Sequence, residues 1–259
     1  MHKNEFKKQA EIASKQMEQG FSVIASALAH VMTEEEAHKH KALPKKAVEH
    51  KLQHEIESDL LKLKRRLDNG AMQLVQTLPE VMKTHPEINI EAVAIDLATV
   101  MKYLLTLSEH AEEYVQGLLH EKSVQEIAGM SSETLEALYQ SAKYLYEHQQ
   151  YEEAADSFGL LTLLNAKHPI FWLGLGNSEF FCHRYEPALT AYAMAVYVNP
   201  FDPTPHLYSC KCYEEIHELD NAVNALDLAL YVLEQNQDES GMKEQIQTER
   251  QRLNKKLKK

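Results

Sequence analysis

The chain has 259 residues, enough for one large domain or two ordinary ones and for a core that needs no covalent or metal staple. Eight glycines and eight prolines set against abundant Ala, Leu, Glu, Lys and Gln favour helix almost throughout, and 27 Lys and Arg against 39 Asp and Glu give a formal charge of −12. That acidity is a poor footprint for nucleic acid, no run reaches the ~18 apolar residues that cross a bilayer, and the three cysteines, Cys182, Cys210 and Cys212, fit reduced helix-core thiols rather than a disulfide framework.

Helices are expected near 4–32, 45–68, 70–83, 90–119 and 122–128, with Pro44, the Asn69-Gly70 turn signal and "THPEIN" at 84–89 as breaks. The apolar stretch "FSVIASALAHVM" at 21–32 follows a leader carrying Glu5, Glu11 and Glu18, so it reads as an amphipathic helix rather than an export signal. Six of the fourteen histidines precede residue 60. His50 and His54 share one helix face, but two ligands do not close a metal site and no HExxH pattern accompanies them. Ile90, Val93, Leu97, Val100, Leu104 and Leu107 recur at helical spacing and read as core.

From residue 135 the chain repeats. "YEEAADSF" (151–158), "YEPALTAY" (185–192) and "LDNAVNAL" (219–226) align on Ala154, Ala188 and Ala222, each 34 residues from the next. A 34-residue helix-turn-helix period is the tetratricopeptide signature, and it sets units at 135–168, 169–202 and 203–236. Small residues fall where paired helices approach: Ala142, Gly176 and Cys210 in the first helices, the three alanines in the second. Gly176 is thus explained by a neighbouring helix. The middle unit, with Trp172, Leu175, Gly176, Tyr185, Ala188, Tyr192, Ala195 and Pro200, follows the pattern most fully, whereas Leu138 and His206 replace the tryptophan in the outer units. After "QNQDESG", residues 242–257 read as a capping helix with a basic end.

The expected fold is therefore all-α: three tetratricopeptide repeats forming an α-solenoid, a C-terminal capping helix, and a preceding N-terminal helical region. No nucleophile elbow, phosphate loop or dinucleotide fingerprint occurs, so neither catalysis nor a cofactor or metal is expected. In such arrays the first helices line a concave surface. Its inward positions are Tyr139, Lys143 and Tyr146; Ile170, Leu173, Asn177 and Phe180; and Thr204, Leu207, Lys211 and Glu214. Aromatic and aliphatic groups with a few polar ones suit an extended peptide whose apolar side chains enter pockets. Gly174, at the edge, is expected to admit the ligand's backbone.

The segment from "GMSSETLEALYQ" through "YEEAADSF" and "FWLGLG" resembles the class II chaperones of type III secretion systems, the SycD/LcrH/IpgC family, over about residues 112–250. The resemblance implies a bacterial cytoplasmic chaperone, not an enzyme, that holds hydrophobic secreted translocator proteins, inserts no helix in the membrane and dimerises through N-terminal helices. It implies groove residues Tyr139, Tyr146, Leu173 and Phe180, with Leu164 from a second helix; Lys143 stands where an aromatic is common. The expected division is 1–111, a helical region without a counterpart in that family, and 112–259, the chaperone domain. A general tetratricopeptide adaptor or co-chaperone is the alternative, and the absence of an arginine from the groove counts against a carboxylate-gripping one.

Overall fold

A computed structural model describes residues 45–105, 122–236 and 241–257. The helix expected at 4–32 and the part of 90–119 beyond Leu105 lie outside these residues. Ten helices and no strand occur among them: α1 (Lys45–Val81), α2 (Ile90–Leu105), α3 (Val124–Ile127), α4 (Ser132–Glu147), α5 (Tyr151–Leu164), α6 (Pro169–Phe181), α7 (Tyr185–Val198), α8 (Thr204–Glu215), α9 (Leu219–Gln235) and α10 (Met242–Leu257). The chain divides into two compact units, one made of the described residues of Met1–Asp68 and Asn89–Thr134, the other of Asn69–Ile88 and Leu135–Lys259.

In the first unit Ser123 and Glu126 form a reciprocal capping box on α3. Asp96 of α2 accepts hydrogen bonds from the Ser131 amide at 3.1 Å and from the Ser131 and Thr134 hydroxyls at 2.6 Å each. These hydroxyl bonds hold the Asp96 carboxyl below its ordinary value.

The second unit carries the repeats. α5 packs on α6, α6 on α7, α7 on α8, α8 on α9 and α9 on α10, the ladder expected of stacked helix pairs. Both helices of each pair meet through small residues, with Ala154, Ala188 and Ala222 fully buried. The Cβ that Gly176 lacks would lie 2.4 Å from Cε1 of Tyr192 on α7, so this glycine does answer to a neighbouring helix. At each turn within a pair a non-glycine residue adopts the left-handed region: Gln149 (φ 62°), His183 (φ 58°) and His217 (φ 64°). These share one slot of the repeat. The following amides close the helix ends, Gln150 to the Leu145 carbonyl at 2.9 Å, Arg184 to Glu179 at 2.9 Å and Glu218 to Tyr213 at 2.8 Å, which is Schellman geometry without glycine.

One expected break is absent. Asn69-Gly70 does not turn the chain; both residues lie within the continuous helix α1. A Cβ on Gly70 would sit 2.4 Å from the Asp156 carbonyl oxygen and 3.3 Å from Leu160 Cβ, and the Asn69 amide donates to Asp156 Oδ2 at 3.2 Å. The glycine marks a close helix crossing on α5, and the same composition that suggests a turn serves packing here. Below it Leu74, Leu78 and Val81 are all at most 2 % exposed.

An ion-pair clip joins the first two repeats. Glu179 of α6 is 1 % exposed and pairs with the Arg184 guanidinium, whose Nη1 also donates to both carboxylate oxygens of Glu152 at 2.7 and 2.6 Å. Burial works against the Arg184 charge, but the bonds to Glu152 and Glu179 outweigh it and raise its pKa. At the far end α10 buries Ile246 and Leu253 against Leu226, Ala229 and Leu233 of α9. Arg252 Nη2 and Lys256 Nζ of α10 reach Glu214 of α8 at 2.5 and 3.0 Å.

Candidate peptide-binding groove

The first helices of the three repeats converge on a groove of about 310 Å³. α4 supplies Tyr139, Lys143, Tyr146 and Glu147; α6 supplies Ile170, Leu173, Gly174 and Asn177; α8 supplies Thr204 and Tyr208; Phe158 reaches in from α5. The spacing of the side chains follows from the helix: Tyr139, Lys143 and Tyr146 recur every three or four residues and so share one face of α4.

The rings are fixed by one another. Phe158 meets Tyr139 edge-on at 6.3 Å, Tyr139 packs against Phe171 at 5.8 Å, and Tyr208 stacks on Tyr192 at 5.6 Å. Burial pushes the Tyr139 and Tyr146 phenols above their ordinary value, so both stay neutral. Among the described residues the charged groups on the wall are Lys143 and Glu147, which face each other at 3.7 Å one helical turn apart. The groove is therefore close to neutral within an acidic body. Asn177 is oriented from behind, because the Tyr192 hydroxyl donates to its Oδ1 at 2.8 Å. That leaves Nδ2 as a donor on the groove wall, suited to a backbone carbonyl.

Six of the ten candidates read from the sequence line this groove: Tyr139, Lys143, Tyr146, Ile170, Leu173 and Asn177. Four do not. Leu164 is 1 % exposed and belongs to the core of α5. Phe180 turns to Phe181 and Tyr185 at 5.5 and 5.7 Å and packs on the Ala188, Tyr192 and Cys212 cluster. Leu207 packs into the α9 core. Lys211 is exposed beside the groove, its ammonium 5.1 Å from the Tyr208 ring centre.

Gly174 is corrected as well: its missing Cβ would stand 2.3 Å from Cε1 of Phe158, so the space is filled by the protein's own ring rather than kept for a ligand. Phe158 and Tyr208 were missed. The first ends the repeat element "YEEAADSF" on a second helix, and the glycine that faces it, Gly174, was the available signal.

These helix pairs and this aromatic groove define a tetratricopeptide-type fold with an open apolar groove. No protein-family model matches the chain. It is similar to low calcium response locus protein H of Yersinia pestis, 31% identical over 100 residues, which is 39% of this chain and 60% of that protein. The chain thus spans 60% of the length of that relative. Among solved structures, a type III secretion complex from Aeromonas hydrophila matches with a TM-score of 0.53 at 19% identity, covering 56% of this chain and 97% of that one, a likeness of fold. The type III secretion translocator chaperone SycD of Yersinia enterocolitica matches at 25% identity with a TM-score of 0.47, over 50% of this chain and 90% of its own. The resemblance to SycD and LcrH read from the sequence holds.

Proposed function

We propose that this chain is a chaperone of a bacterial type III secretion system that keeps hydrophobic translocator proteins soluble and apart before export. The observation that carries this reading is the near-neutral aromatic groove, in which Ile170 remains 38 % exposed although it sits among Tyr139, Tyr146 and Leu173. Exposed apolar surface of this kind marks a binding site, and an open groove with few deep anchors gives the moderate affinity that later release requires. The similarity to low calcium response locus protein H and to SycD supports the choice of client.

Residues 112–259 form the chaperone domain in this proposal, and 1–111 an added helical region available for dimerisation. The site of action is the bacterial cytoplasm; among the described residues no helix is long and apolar enough to cross a membrane. Pairing of Lys143 with Glu147 disfavours an adaptor that grips a terminal carboxylate, since the groove's own lysine already has an anion.

Co-expression with the translocators of the same bacterium, followed by pull-down, tests the proposal. The wild type is expected to yield a soluble complex that Tyr139→Ala/Ile170→Asp loses while keeping its helical circular dichroism. A complex unaffected by that pair of changes, or none with any translocator, overturns it.

A further inference from the structure

A second groove of about 300 Å³ lies away from the first, lined among others by Leu189, Ala193 and Val196 of α7, His206 and Ser209 of α8, and Leu228 of α9. Its origin is legible in the repeat. The slots that hold Trp172 and Leu175 in the middle unit hold His206 and Ser209 in the third, both smaller. Trp172 occupies its place with an indole bonded to the Ala166 carbonyl at 2.7 Å; nothing of that size stands at His206.

The chain itself shows what fits on this face of a second helix. On the first repeat, Asp156 and Leu160 of α5 meet α1 where it crosses at Asn69 and Gly70. Leu160 is consequently 5 % exposed. The residues in the same slots of the third repeat are Asn224 and Leu228, and both line the second groove. Among the described residues no helix covers them: Leu228 is 51 % exposed and Tyr231, one turn on, is 60 % exposed.

We propose that this second groove is a docking site for an amphipathic helix of a partner protein, one with a small residue at the crossing, an apolar stripe like Gly70, Leu74, Leu78 and Val81, and basic residues on its outer face. The charge follows from the surroundings. Residues 135–236 hold four Lys and Arg against fourteen Asp and Glu, none of the four lines this groove, and Glu186 and Asp220 stand exposed on the helices that bound it. His206 adds no cation near neutral pH, because burial pushes its pKa down. A second copy is the poorer occupant. Its matching helix already covers its own first repeat, with Leu74 fully buried. This site is independent of the first groove and of the function proposed for it.

The test uses the intact protein and a fluorescein-labelled, helix-stapled peptide of residues 69–84 in which the exposed Met72, Val75, Gln76 and Glu80 are replaced by lysine, followed by anisotropy. Saturable binding is expected. It should weaken tenfold or more in His206→Trp, which restores the tryptophan of the middle repeat, and in Leu228→Glu, an exposed position that leaves the fold intact. Tyr139→Ala should leave it unchanged. The proposal is overturned if the peptide does not saturate, if both variants bind within twofold of wild type, or if Tyr139→Ala alone abolishes binding. Sedimentation equilibrium of the protein alone provides the other arm: a dimer dissolved by Leu228→Glu would assign the face to a second copy and overturn the partner helix.

Discussion

Gly174→Ala puts the packing of the groove to a quantitative test. The added methyl carbon would stand 2.3 Å from Cε1 and 2.5 Å from both Cδ1 and Cζ of Phe158. Carbon atoms in contact settle at about 3.5–4.0 Å, so the ring has to retreat by roughly 1.2 Å or more. Phe158 is 4 % exposed and held edge-on by Tyr139, which leaves little room for that movement. Overpacking of this sort costs about 1–3 kcal/mol, while replacing a helical glycine by alanine returns about 1 kcal/mol. The expected net effect is a loss of about 0–2 kcal/mol, against the gain of about 1 kcal/mol for the same change at an open helix position. Urea unfolding followed by far-ultraviolet circular dichroism and by the fluorescence of Trp172, two residues away, measures it. Phe158→Leu removes the opposing ring, so the alanine should cost nothing in the double variant, a coupling of about 1–3 kcal/mol. A Gly174→Ala protein that is more stable than wild type, with no coupling to Phe158→Leu, would refute the packing argument.

Arg184→Ala removes the guanidinium paired with Glu179, which is 1 % exposed; a loss of about 2–3 kcal/mol is expected in the same unfolding assay, with Glu152→Ala, on the exposed side of the clip, costing under about 1 kcal/mol. Burial pushes the Glu214 carboxyl up, but Arg252 and Lys256 outweigh it and hold it below the ordinary 4.5. Its contribution to stability is therefore complete above that value and lost as the pH falls through the lowered one, and Arg252→Met should flatten this acid limb of a pH–stability curve. Burial raises the thiols of Cys182 and Cys210 to about 11 and that of Cys212 to about 12, so at pH 8 a disulfide reagent should modify the native protein slowly and all three thiols rapidly in urea. Removal of Asn69–Ile88 uncovers Leu160: amide exchange in α5 should be faster in a 112–259 fragment than in a 66–259 fragment, with α9 unchanged.

The solenoid was legible because a 34-residue period fixes helix spacing and approach at once; the three alanines are fully buried, and Gly176 occupies a place where a side chain would collide. Legibility failed where one residue type serves two physical ends. Asn69-Gly70 has the composition of a turn, but glycine also permits helices to cross closely, and only the three-dimensional partner, Asp156, distinguishes the cases. The turns within the repeats were implied by the period, but at Gln149, His183 and His217 no glycine signals the left-handed residue that closes each helix. Within the groove, helical spacing placed the first-helix residues on one wall. It carried no information on the direction of Phe180 and Leu207, which pack toward the core, nor on Phe158, which crosses into the groove from the second helix over Gly174.

The most direct test of the account is site-specific photo-crosslinking in a co-purified complex with a translocator. A benzophenone amino acid placed at Ile170, on the groove wall, should crosslink to an apolar segment of the translocator, and the same probe at the exposed Thr248 of α10 should not. Crosslinking confined to Thr248, or equal at both positions, would contradict a client held in the concave groove.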